Sequence, residues 1–302
     1  MNHSITASFL DHFAHSLSAR DQLILEFVGK FRWALSGQIA RTCFADEDGV
    51  RDRTCRDVLK RLSEAGWLYR LPRRLAGTYG GSGQYLYTLN LAGRRFTGQL
   101  AGDRRPRKPR LPNDDSPLYH ALAITELAVR LQEAKRAGLL GTVGYLPEFT
   151  GLPHLRPDAL VGLLPPSKDH DDARRYFVEI ELSRKDSTRL DEKLTAYTEA
   201  WRRSSWRRFP RVLFLAGASS RFPSDARNIY REIEGAIRRQ PDDARHIFAL
   251  ATYDDAVRVL LGSADPLILS ASDDPREGEI IDPIQLLLPV DLDAPAADEP
   301  PG

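Results

Sequence analysis

Arg156-Pro157-Asp158-Ala159-Leu160 and, 21 residues after its Asp, Val178-Glu179-Ile180-Glu181-Leu182 decide how this chain reads. Each acidic residue sits in a run that reads as a strand, and a helix carrying Lys193 and Tyr197 follows. Glu179 and Glu181 are two apart, so on a strand they share one face, while Val178, Ile180 and Leu182 take the other. Two carboxylates on one strand face, where Asp158 could join them, are costly unless a cation neutralises them. Hard oxygen donors of this kind suit magnesium or manganese. Such a metal lowers the pKa of bound water and stabilises charge on a phosphate. The pattern therefore points to Asp158, Glu179 and Glu181 as ligands of Mg2+ or Mn2+, with Lys193 as a fixed cation near the phosphate. The competing reading makes Asp158 a turn residue after Pro157, the glutamates a solvated strand face and Lys193 an ordinary surface lysine.

Around this stretch the elements alternate. A helix is expected from Leu118 to about Gly138, then strands at 142–149, 158–164 and 176–182, a helix from about Thr188 to Arg203, and a strand at 211–216. A helix at 224–239 and a strand at 246–252 complete the set. Residues 102–117, GDRRPRKPRLPNDDSP, are a linker by composition. The tail beyond Pro289 has a disordered composition. The expected organisation is an arm at 1–17, a first domain at 18–101, the linker, a second domain at 118–262 and an extension at 263–302.

The front of the chain carries a different pattern. Ser18 reads as an N-cap with Asp21 three residues on, and Leu23, Ile24, Phe27, Val28 and Phe31 follow at helical spacing. A second short helix starts at Ser36, and a third runs from Arg51 to Ala65 and stops at Gly66. Strand-like runs at 67–71 and 85–89 flank a basic, glycine-rich segment, and Leu91 begins a further helix. Three helices and a hairpin with a basic tip form a winged-helix pattern, in which the third helix lies in the major groove. That helix offers Arg51, Arg53, Thr54, Arg56 and Lys60; the wing offers Arg70, Arg73 and Arg74. Arginine forks fit guanine edges or phosphates, and lysine acts as a point charge. Asp52 and Asp57 oppose phosphate contact wherever they point outward.

The charge distribution agrees with this division. The net charge of +1 hides an asymmetry: residues 1–110 hold 19 Lys+Arg against 10 Asp+Glu, and residues 111–302 hold 24 against 32. A basic front half suggests a polyanion partner. Cys43 and Cys55 are the only cysteines, too few for a disulfide framework, and both lie in helical patterns. No apolar run approaches the roughly 20 residues of a membrane span, and the N-terminus lacks signal-peptide order. A cytoplasmic protein without a membrane partner is expected.

The order helix, three strands, helix, strand, with Pro157-Asp158 and then Glu179-Ile180-Glu181, resembles the PD-(D/E)xK nuclease superfamily. The whole chain resembles the replication-relaxation family of mobile elements. The matching stretches are Ala40-Arg41 through Leu62, Gln84 through Gly93, Arg156 through Ala159, Phe177 through Glu181, and Lys193-Leu194 with Tyr197. The architecture is similar to that of MobC-like plasmid relaxases.

The resemblance implies an α+β protein of two domains: an N-terminal winged helix-turn-helix and a C-terminal restriction-endonuclease-like domain acting on plasmid or integrative-element DNA. One departure stands out. The superfamily's usual lysine position, two after Glu179, is Glu181. Some members accept Glu there; others move the lysine to the following helix, where Lys193 would serve and Lys185 is a weaker candidate. Glu126, on the first helix, is where the superfamily often adds another acid, and Glu148 on the first strand is a further option.

The expected function is DNA binding with metal-dependent nicking, for replication or mobilisation. Double-stranded DNA is the expected partner, with other mobilisation or replication proteins and a second copy of the chain as further candidates. The alternative is a non-catalytic DNA-binding regulator or accessory factor with a degenerate nuclease domain. Covalent strand transfer through Tyr197 is the weaker third reading, because His154 and His170 form no metal-ligand cluster.

Overall fold

The computed structural model describes residues 17–45, 51–75, 83–99, 115–166, 173–183, 186–206, 208–217 and 223–267. The arm at 1–16, Lys185, and the tail from 268 lie outside the described residues. The chain divides into two compact units, with the division between Thr125 and Glu126.

In the first unit, α1 (Ala19–Phe31) opens on the expected capping box. The Asp21 amide donates to Ser18 Oγ at 3.2 Å and the Ser18 amide donates to Asp21 Oδ2 at 3.0 Å. Asp21 is buried and its other oxygen accepts from the Arg61 guanidinium. β1 (Ala34–Leu35), α2 (Ser36–Cys43) and α3 (Arg51–Glu64) follow. Gly66, at φ +81°, supplies the left-handed turn after α3. β2 (Leu68–Leu75) and β3 (Gln84–Leu89) pair antiparallel with a register shift between Arg70 and Arg74, and β1 adds to the far side of β3. β1 was not expected, because two residues carry no readable period. Cys43 and Cys55 are buried and form no disulfide. After β3, Asn90 caps α4 (Leu91–Phe96).

The helix after the linker, α5 (Asp115–Arg136), starts three residues earlier than expected, so residues 115–117 are helical rather than linker. Its first part belongs to the first unit. Leu118 and Leu122 pack with Trp33, Leu71 and Leu86. Thr125 Oγ1 donates to the Trp33 carbonyl at 3.2 Å, and Gln38 Nε2 donates to the Leu122 carbonyl at 3.1 Å.

The second unit is a five-stranded sheet in the order β4-β5-β6-β7-β8. β4 (Thr142–Pro147), β5 (Ala159–Leu164) and β6 (Arg174–Glu181) are antiparallel neighbours; β7 (Arg211–Ala216) and β8 (Phe248–Thr252) are parallel to β6. The two parallel steps need crossovers, which α6 (Ser187–Arg203) and α7 (Pro223–Arg239) provide. A 3-10 turn at Arg245–Ile247 leads into β8, and α8 (Ala256–Leu260) follows it. β4 ends at Pro147, so Glu148 and Phe149, expected in the strand, lie in the following loop. Central β6 is buried on both faces from Tyr176 to Glu181. Leu190, Leu194, Tyr197 and Trp201 of α6 pack with Phe177, Val212 and Phe214. Among the described residues no helix is long and apolar enough to cross a membrane.

Asp21→Ala removes one of the two capping-box bonds, from the Ser18 amide, together with the buried carboxylate that accepts from Arg61, while the Ser18 hydroxyl still accepts from the residue 21 amide. Loss of that bond costs about 0.5–1.5 kcal/mol, and the ion pair adds little because the Arg61 side chain is 54% exposed. The urea midpoint should fall by that amount with an unchanged slope.

Candidate functional site

β6 and α6 build the site. Phe177, Glu179 and Glu181 alternate along one face of β6, and α6 lies over that face. Both glutamates are buried, 1% and 3% exposed, so they are not a solvated strand face. Lys193 Nζ donates to Glu179 Oε2 at 2.7 Å and to Glu181 Oε1 at 3.2 Å. One helical turn on, the Tyr197 hydroxyl donates to Glu179 Oε1 at 2.6 Å. The pairing depends on spacing: positions four apart on a helix share a face, and positions two apart on a strand do the same.

Asp158 lies just before β5. The pairing of Ala159 with Val178 carries Asp158 to the position opposite Glu179. Its Oδ2 accepts from the Ile180 amide at 2.7 Å, so a side chain continues the ladder where β5 stops. The Glu148 amide donates to the Asp158 carbonyl at 3.0 Å on the other side. Glu148 is exposed at φ +52°, and Glu126 is half-buried on α5.

The electrostatics follow from burial. Desolvation pushes the Glu179 carboxyl up to about 7, against the pull of Lys193 and with a further push from Asp158. Desolvation works to lower Lys193, but the charges of Glu179 and Glu181 outweigh it and hold the ammonium above the usual lysine range. Burial, and then the neighbouring Glu179, drives the Tyr197 phenol far above its ordinary value. Tyr197 in this arrangement is a donor that orients Glu179.

The donor chemistry of Asp158, Glu179 and Glu181 suits a hard divalent cation. Their arrangement does not. Among the described residues no group of three or more His, Cys, Asp or Glu is placed to hold a metal ion. The Lys193 ammonium already bonds both glutamates, and the Ile180 amide donates to Asp158. The expected three-carboxylate ligand set is therefore not assembled here.

The basic residues of the first unit sort as follows. Arg53, Arg56 and Lys60 are exposed on α3 at spacings of three and four, with Asp57 exposed among them and Thr54 half-buried. Lys60 lies 3.9 Å from Glu64. Arg70 is exposed on β2 with its guanidinium 4.7 Å from the Tyr85 ring centre. The side chains of Arg51, Arg73 and Arg74 lie outside the described residues.

Sequence reading missed an aromatic floor beside Tyr197. Phe177 meets the rings of Phe149, Tyr197, Trp206 and Phe209 at centroid distances of 5.7, 6.1, 6.0 and 5.5 Å. The available signal was Trp201-Arg202-Arg203-Ser204-Ser205-Trp206-Arg207-Arg208-Phe209, where aromatic and basic residues interleave.

Fold and site define an α+β protein of two units, the second centred on a buried Glu–Lys–Tyr network in a mixed five-stranded sheet. Residues 25–212 match the replication-relaxation family, and the chain belongs to that family. Membership supports a role in the replication or mobilisation of a plasmid or integrative element. No curated protein and no solved structure matches the chain.

Two outcomes test the network. Lys193→Met leaves two buried carboxylates without their cation and should destabilise the protein by about 3–5 kcal/mol at neutral pH, measured by urea denaturation.

The second outcome concerns pH. Glu179 holds its proton more tightly folded than unfolded, with a pKa near 7 against an ordinary 4.5. Between these values the folded state binds more protons, so the Glu179 contribution to stability falls as pH rises through that window. Urea midpoints across that range, in chelator, should show a shallower fall for Glu179→Gln than for the unaltered protein.

Proposed function

We propose that this chain is a DNA-binding protein acting in the replication or mobilisation of a plasmid or integrative element. In this reading the first unit is a winged helix that holds duplex DNA through α3, and the second is a nuclease-like domain of the PD-(D/E)xK kind. The observation that carries the DNA half is the exposed row Arg53, Arg56 and Lys60 on one helix. Its spacing suits phosphate or guanine contact, and Arg70 adds charge on β2. Asp57 stands in the same row, which favours a register-specific contact over a uniform electrostatic one.

For the second unit the geometry favours a site held shut by its own lysine. Lys193 bonds both glutamates, and Tyr197 adds a third bond to Glu179. In this reading the lysine holds the two glutamates closed, and the protein serves as an accessory factor that holds DNA. The second reading is metal-dependent nicking. It is favoured by three carboxylates on adjoining strands with a lysine beside them, and it requires those groups to rearrange around a divalent ion.

Duplex binding by the full chain should weaken steeply with salt. Arg53→Ala and Arg56→Ala should each cost about 1–3 kcal/mol if they read bases, and should lower the salt slope by about one if they hold phosphates. Fluorescence anisotropy on a labelled duplex measures both. A folded protein that shifts no duplex at any salt concentration would defeat the reading. Supercoiled plasmid incubated with Mg2+ or Mn2+ decides between the two site readings. The lysine-closed site predicts no nicking, whereas metal-dependent nicking lost in Asp158→Asn establishes the enzyme.

A further inference from the structure

The segment joining α6 to β7 carries chemistry that the network does not use. It reads Trp201-Arg202-Arg203-Ser204-Ser205-Trp206-Arg207-Arg208-Phe209-Pro210-Arg211, without one acidic residue. Arg202 and Arg203 are committed elsewhere, to Asp243 and to Glu199. Arg208 is exposed and Arg211 is half-buried.

Trp206 and Phe209 stack on one another, with centroids 5.7 Å apart and rings 29° from parallel. Both rest on the buried Phe177, and Phe149 from the loop after β4 joins from another side. Phe149, Trp206 and Phe209 are all half-buried, so each is packed against the core and partly open to solvent. The Ser204 hydroxyl accepts from the Trp206 amide at 3.0 Å, which pins the backbone at the ring.

This floor adjoins the acid–lysine network. Phe177 and Glu179 are two residues apart on the same face of β6, roughly 7 Å along the strand. Phe177 also meets Tyr197, the donor to Glu179.

We propose that Phe149, Trp206 and Phe209, with the exposed Arg208 next to Phe209 in the chain, form a stacking platform for the bases of single-stranded DNA next to the acid–lysine network. Ring faces accept any base, and an arginine-bearing edge attracts the phosphates, which is how sequence-tolerant single-strand sites are built. A duplex keeps its bases stacked inside and has none to offer these rings. This rests on the DNA reading above and assigns the second unit a different strand state from the first. Exposed Arg208, in a run without acidic residues, supplies the charge complementarity.

The test uses the full chain and oligo(dT) of about 20 nucleotides, with an abasic oligomer of equal length and a duplex as comparisons. Of the four tryptophans, Trp33, Trp67 and Trp201 are buried, so Trp206 is the one a stacked base can reach. Oligo(dT) should quench tryptophan emission, and the abasic oligomer should bind more weakly without quenching.

Trp206→Ala should abolish the quench and lower oligo(dT) affinity roughly 5- to 100-fold. Arg208→Ala leaves the rings in place and should lower the slope of log affinity against log salt by about 0.7. If Trp206→Ala melts early, the quench in the unaltered chain and the Arg208→Ala slope still decide. Equal binding of the abasic and dT oligomers, or oligo(dT) binding indifferent to both substitutions, overturns the proposal. Loss of duplex binding with the quench intact would overturn the function proposed for the first unit and not this one; duplex binding without any quench would do the reverse.

Discussion

A single ammonium group bears on most of the second unit. Lys193 lies between Glu179 and Glu181, two carboxylates set in the central strand of a sheet and almost closed to water. Moving one such ion from water into a protein interior costs several kcal/mol even after relaxation. Packing α6 over β6 is favourable because the helix brings the compensating charge on the same face as Leu190, Leu194 and Trp201. Tyr197 completes the arrangement by donating to Glu179 from within the apolar layer. The burial that drives the packing and the cation that permits it arrive on one helix.

The sheet topology explains why the charges collect there. β6 has an antiparallel neighbour on one side and a parallel one on the other. The antiparallel side sets Asp158 against Glu179, close enough for its charge to raise the Glu179 pKa. The parallel side requires a crossover from β6 to β7, and that crossover is α6. Three acids and one lysine leave the site with an excess of negative charge when all are ionised. The shift of Glu179 toward neutrality relieves part of that excess. An acidic centre of this kind does not attract a DNA backbone, so the DNA contacts proposed above are placed on other surfaces: the α3 row in the first unit and the segment after α6.

The first unit is built on a different economy. Its small sheet and the helices around it are fixed by apolar contacts and by local bonds such as the Ser18–Asp21 box. Buried Asp21 accepts from Arg61, which takes that arginine out of the exposed basic row on α3. The remaining cations on the outer face, Arg53, Arg56 and Lys60, are there because the inner face of the helix is taken by Cys55, Leu59 and Leu62. Charge presentation is thus a by-product of core packing at 3.6 residues per turn.

Local signals in the sequence determined much of this. The order of strands and helices, the cap at Ser18, the stop at Gly66 and the shared face of Lys193 and Tyr197 all follow from periods of two and 3.6 and from capping chemistry. The nearness of Lys193 to the Glu-x-Glu strand was legible too, because strand and helix are consecutive, but the sequence reading gave that cation to a phosphate, and its direct bonds to both glutamates emerged only in the tertiary structure. Only the tertiary structure decided that the glutamates are buried, since alternation along a strand does not reveal whether a helix covers the polar face. Only the tertiary structure showed Asp158 bonded to the Ile180 amide, a contact set by the point at which β5 stops pairing. The two-residue β1 and the meeting of Phe149 with Trp206 and Phe209 over Phe177 were also invisible. They join segments far apart in the chain, and sequence periodicity carries no information about which distant faces meet.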